Sequence, residues 1–140
     1  SNVIEKMRLL LETTSSCVSP FIQAAGIEAI DGNQTSQKIM YDEYLKRREL
    51  IVNGLNSIDK ISCIMPGGAF YVFLNIKKTG MTSNQFCEFI LDDAGVAMLP
   101  GTSFGQFGEG FVRICYTTNQ DEIKEAIERI KKSINKSKLY

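Results

Sequence analysis

Apolar residues recur at helical spacing over the first 58 positions, and the pattern changes after that. Residues 3–12, VIEKMRLLLE, predict a short amphipathic helix. The polar stretch TTSSCVSP, 13–20, ends in Pro20 and predicts a turn or a helix entry. From Phe21 to about Asp31 the apolar residues Phe21, Ala24, Ala25 and Ala29 keep helical spacing, and Gly32 and Asn33 stop the run. The longest signal covers roughly 35–58. There Tyr44, Ile51, Leu55 and Ile58 share one stripe, while Asp42, Glu43, Lys46, Arg47 and Glu49 lie mostly off it. At 1.5 Å per residue this helix is about 35 Å long. That is longer than the compact unit behind it needs, so the helix is expected to span two lobes.

Beyond Asp59 the pattern becomes that of strands. ISCIM (61–65) is a short apolar run, and Pro66-Gly67-Gly68 interrupts it. AFYVFLNI (69–76) is rich in aromatic and β-branched residues and predicts a strand. After a turn at 77–80, Thr82 opens a helix with Gln85 as its capping-box partner. Phe86, Phe89 and Ile90 form its buried face, and Gly95 ends it. VAML (96–99) predicts a strand, PGTSFGQFGEG (100–110) a glycine-rich loop, and FVRICYTT (111–118) another strand. Thr118, with Asp121 in the reciprocal position, caps a last helix whose apolar face is Ile123, Ile127, Ile130 and Ile134. The tail from Asn135 is expected to fray.

These elements predict an α/β fold, ordered β-β-α-β-β-α after a long connecting helix. Three segments follow: 1–33, 34–59 and 60–140. The first helices carry apolar faces and have no sheet of their own to cover. They are expected to be the edge of another domain, and less well ordered than 60–136 or packed against a second chain.

Composition narrows the function. Sixteen basic and sixteen acidic residues leave a formal net charge of zero, so no basic stripe offers the phosphate attraction that nucleic-acid binding needs. No run of about 18 apolar residues crosses a membrane, and the first residues lack the layout of a signal peptide. Cys17, Cys63, Cys87 and Cys115 are widely spaced in apolar contexts, unlike zinc ligands or a redox pair. They read as free thiols in a reducing, cytoplasmic compartment. Histidine is absent. That removes Ser-His-Asp and Cys-His catalysis and the commonest metal ligand, and no metal site is expected.

Three places could carry chemistry. Pro66-Gly67-Gly68 frees the backbone for positive φ or for close approach of another group, or it is a bulge or hairpin corner. The glycines of 100–110 could cradle a phosphate, yet no helix begins directly behind them. The loop matches neither a P-loop nor a dinucleotide fingerprint and also reads as purely structural. Arg113 lies within an apolar strand. A buried guanidinium needs a paired anion, so Arg113 either faces solvent on an edge strand or meets a carboxylate, internal or from a ligand. Its planar fork suits a carboxylate.

Together the segments SPFIQAAGIEAI, PGGAFYVF, PGTSFG and GEGFVRICYTT resemble, in order and spacing over nearly the whole chain, the C-terminal region of class I/II aminotransferases. These are fold-type I pyridoxal-phosphate enzymes of the aspartate-aminotransferase type. The resemblance implies transfer of an amino group between an amino acid, aspartate by default, and a 2-oxo acid. It implies that Arg113 binds the substrate α-carboxylate, that Phe70 lines the substrate pocket, and that Gly68 and Ala69 border it. It also implies a homodimer, with 1–33 as the edge of a large cofactor domain, 34–59 as the joining helix and 60–140 as the small domain. The family's Schiff-base lysine sits in a Ser-x-Ser-Lys motif, and Lys38, Lys77 and Lys78 have only surface-type contexts. The chain is therefore expected to be cut at its N-terminal side, to hold no catalytic residue and no pyridoxal 5'-phosphate, and to be inactive alone. A carboxylate-binding α/β module without catalysis, or another fold-type I enzyme (lyase, decarboxylase or acyl transferase), remains open.

Overall fold

The computed structural model describes residues 1–137. The chain divides into two compact units, Ser1–Met40 and Tyr41–Tyr140. In the first, α1 spans Asn2–Thr14 and α2 spans Pro20–Asp31. Pro20 occupies the start of α2, where its missing N–H costs nothing. Neither helix has a buried residue: Leu9, Leu10 and Phe21 all stand in solvent.

Helix α3, Thr35–Asn56, begins in the first unit and ends in the second. Its 22 residues make it about 33 Å long. The predicted stripe holds: Ile51, Leu55 and Ile58 are buried, Val52 joins them, and Tyr44 is half-buried.

The second unit contains a four-stranded antiparallel sheet in the order β1-β2-β4-β3. The strands are β1 Ser62–Cys63, β2 Tyr71–Asn75, β3 Leu99–Pro100 and β4 Phe111–Cys115. β1 and β3 are shorter than their apolar runs suggest. Asn56 captures both backbone groups of Cys63 (Nδ2 to O 3.0 Å, N to Oδ1 2.7 Å) in place of further ladder bonds. Pro100 has no N–H to extend β3. On one face Val72, Leu74, Val112 and Ile114 join a core with α3, α4 (Ser83–Ala94) and α5 (Gln120–Lys136). Phe86 and Ile90 of α4 are fully buried, and Phe89 is half-buried at the margin. The four predicted isoleucines of α5 are all buried.

The capping box of α4 forms in both directions, between Thr82 and Gln85. Gly95 closes that helix at φ 65°. The cap of α5 is Asn119 and not Thr118: its Oδ1 accepts the Glu122 N–H at 2.9 Å. Thr118 instead donates to the Glu122 carboxylate, and Asp121 pairs with Lys124. The predicted fraying begins inside a segment that stays helical to Lys136, and residues 138–140 lie outside the described residues.

Candidate anion-binding site

Because a strand's side chains alternate between faces, burying Val112 and Ile114 forces Arg113 onto the open side of the sheet. Phe73 of β2 and Leu99 of β3 stand directly across from it. β4 is an interior strand, so the edge-strand alternative for Arg113 does not hold, and no carboxylate of the described residues pairs with it. The guanidinium carbon instead lies 4.2 Å from the ring centre of Tyr71 and 4.1 Å from that of Phe104. The face of an aromatic ring attracts a cation without accepting an N–H. Among the described residues Arg113 makes no hydrogen bond or ion pair. Its five donors are therefore not engaged by the described residues.

Phe104 reaches this place through the glycine-rich loop, which forms two 3₁₀ turns, Gly101–Phe104 and Gln106–Gly108. The two turns touch backbone to backbone. A Cβ on Gly101 would lie 2.2 Å from the Gly108 oxygen, and one on Gly108 would lie 1.9 Å from the Gly101 oxygen. These glycines serve chain crossing, which favours the structural reading of the loop over a phosphate cradle. Ser83, fully buried at the start of α4, pins the loop. Its Oγ accepts the Gly110 N–H at 2.9 Å, and its own N–H donates to Glu109 Oε1 at 2.8 Å. Phe104 also meets Phe73 edge to face, with ring centres 5.8 Å apart.

The Pro66-Gly67-Gly68 step leads into β2. Arg48 Nη1 donates to the Pro66 carbonyl at 3.2 Å, and the Tyr116 hydroxyl donates to the Ala69 carbonyl at 2.8 Å. The left-handed backbone expected at the paired glycines falls on Ala69, φ 63°. Gly68 and Ala69 are exposed, just ahead of Tyr71. Phe70 is not brought beside Arg113. Its ring packs on Tyr44 of α3, with centres 4.9 Å apart, on the side of the sheet that the helices cover. Tyr71 and Phe104 are the aromatic neighbours of Arg113, and the sequence reading named neither. Strict alternation along AFYVF places residues 71 and 73 opposite the buried Val72 and Leu74; only the pairing register puts Arg113 among them.

An open groove of about 750 Å³ adjoins Phe73 on this same side, lined by Ile64, Met65, Asn75 and Phe111 among others. A second cavity, about 450 Å³, runs along α5 past Ile114 and Cys115 and does not include Arg113. No cluster able to hold a metal occurs among the described residues, and none of their helices is long and apolar enough to cross a membrane.

The described residues do not by themselves fit a pyridoxal-phosphate site. Such a site needs an amine held out of water beside the substrate. Every described lysine is exposed except Lys131, which is half-buried on α5, and Lys77 spends its charge on the ring of Phe111, 4.8 Å away.

The family model described as aminotransferase class I and II matches residues 1–130. The chain belongs to the class I and II aminotransferases. It is 41% identical over 140 residues to an aspartate aminotransferase of Pyrococcus horikoshii, covering 99% of this chain and 36% of that protein. It is 38% identical to aromatic-amino-acid aminotransferase 2 of Thermococcus litoralis, covering 98% of this chain and again 36% of the relative. Among solved structures, an aromatic aminotransferase from Pyrococcus horikoshii superposes with a TM-score of 0.86 at 37% identity, over 99% of this chain and 37% of that one. An aspartate aminotransferase from Rhizobium meliloti gives 0.82, also at 37% identity, over 96% and 36%. This aminotransferase chain thus spans little more than a third of the length of the relatives it matches. The fold class read from the sequence, part of a fold-type I aminotransferase, is the one observed.

Proposed function

We propose that the whole protein transfers an amino group between an amino acid and a 2-oxo acid, and that Arg113 anchors the substrate's α-carboxylate. One observation carries the reading: Arg113 is fixed on an interior strand by two rings while its donors have no partner among the described residues. A planar carboxylate accepts two parallel hydrogen bonds from such a fork. The relatives' names include aspartate, aromatic-amino-acid, diaminopimelate and alanine aminotransferases, and aspartate is our default donor.

Gly68 and Ala69 edge the substrate pocket beside Tyr71. Pyridoxal phosphate, the cofactor the family implies, is held by the rest of the protein and not by this chain, which is inactive alone. Residues 1–33 are the edge of the cofactor domain, 34–59 the joining helix and 60–140 the small domain. The whole protein is a homodimer in the cytoplasm. The free state of Cys17, Cys63, Cys87 and Cys115 supports a reducing compartment.

The test is a screen of the full-length protein against amino-acid donors and 2-oxo acid acceptors, with both products identified. New amino acid and new 2-oxo acid in equal amounts are expected, with matched amines that lack the carboxylate reacting far more slowly. Amines that react as well as amino acids, or loss of carbon dioxide or ammonia in place of exchange, would overturn the reading.

A further inference from the structure

We infer that Tyr71 and Phe104 are positioning residues for Arg113, holding its guanidinium plane ready before any ligand arrives; the inference rests on Arg113 being the carboxylate anchor. An arginine carries large rotamer freedom, and a bidentate bond requires one orientation of the fork. Ordering the side chain only on binding would take that cost out of the affinity. Here two rings, 4.2 and 4.1 Å from the guanidinium carbon, restrict its plane in advance. A carboxylate or carbonyl partner could also order the side chain, but it would occupy the N–H groups the ligand needs. Ring faces order the cation and leave its edges open.

The two rings come from separate segments. Tyr71 begins β2, whose register sets it diagonally across from Arg113, opposite Cys115. Phe104 ends the first turn of the loop that Ser83 and the Gly101–Gly108 crossing hold in place. Phe73 braces Phe104 from the side.

The experiment compares Tyr71→Leu, Phe104→Leu, the double variant, Tyr71→Phe and Phe104→Tyr in the full-length, cofactor-loaded protein. The readout is the ratio of kcat/KM for an α-amino acid to kcat/KM for the matching amine without a carboxylate. Each leucine variant should lower that ratio about 3–10-fold, mainly through KM, the double variant further, and the two ring-preserving variants should recover it. A general structural defect would lower both substrates together and leave the ratio unchanged; that result overturns the proposal, as does a ring-preserving variant that falls as far as leucine. Arg113→Ala run in parallel separates the two readings. If it collapses the ratio while the leucine variants do not, only the positioning role fails; if it leaves the ratio intact, the carboxylate assignment falls and the positioning role with it.

Discussion

Replacing Arg113 by alanine removes a fork that stacks on Tyr71 and Phe104 and whose N–H groups have no hydrogen-bond partner among the described residues. Hydrogen bonds to charged groups contribute about 1.5–3 kcal/mol each, so a bidentate pair lost from the bound state costs roughly 3–5 kcal/mol. At about 1.4 kcal/mol per tenfold, kcat/KM for amino-acid donors should fall by about two to four orders of magnitude. The fold should survive. Arg113 is half-buried on the open face and contributes to no core contact, while Val112 and Ile114 on either side keep β4 in the core. Lysine should recover only part of the loss, because a point charge cannot reproduce the planar fork or its stacking on Tyr71 and Phe104. The assay is steady-state kinetics on full-length Arg113→Ala and Arg113→Lys, with cofactor content read by absorbance and folding by circular dichroism. Two folded, cofactor-loaded variants with near-normal kcat/KM would show that Arg113 is only part of the sheet surface.

Three further outcomes follow from the same packing. Limited proteolysis of the 140-residue chain should cut first within residues 1–40, since α1 and α2 bury nothing; a first cut inside 71–75 or 111–115 would contradict this. Ser83→Ala should orphan the buried Gly110 N–H and cost about 1–3 kcal/mol, seen as a lower urea midpoint at unchanged slope; a loss below about 0.5 kcal/mol would remove Ser83 as the pin of the loop. Burial, helped by the neighbouring Glu88, pushes the Cys87 thiol up to about 11, so iodoacetamide at pH 8 should label exposed Cys17 and Cys115 well before Cys87; equal rates by mass spectrometry would contradict the packing around α4.

The helices were legible because their signals are local. The stripe Ile51-Leu55-Ile58, the Thr82–Gln85 box and the four isoleucines of α5 each depend on residues within a turn or two of one another. The strands were legible as runs but not as lengths. What shortens β1 is the side chain of Asn56, seven residues back, and what shortens β3 is a proline that also opens the next loop. Asn119 displaced Thr118 as cap because the chain is still extended at Asn119, and only one side chain can meet the Glu122 N–H. Arg113 was visible as a misfit in an apolar strand, but its environment was not. Whether it meets Phe70 or Tyr71 depends on the β2–β4 register, and one residue of slip exchanges the faces.

The glycines of 100–110 bear on Arg113 through Phe104. The glycine content alone left a phosphate cradle open as a reading; the geometry shows two turns pressed so closely that any side chain at Gly101 or Gly108 would strike backbone oxygen, not a yielding side-chain tip. Backbone cannot give way there without separating the turns, and Phe104 rides on the first of them. A methyl group added at Gly108 would therefore act at a distance, by lifting a ring off Arg113, although its own clash is with the Gly101 backbone. The glycine-rich loop and the strand arginine thus form one mechanical unit: the glycines let the turns cross, the crossing sets Phe104, and Phe104 with Tyr71 flanks the Arg113 guanidinium.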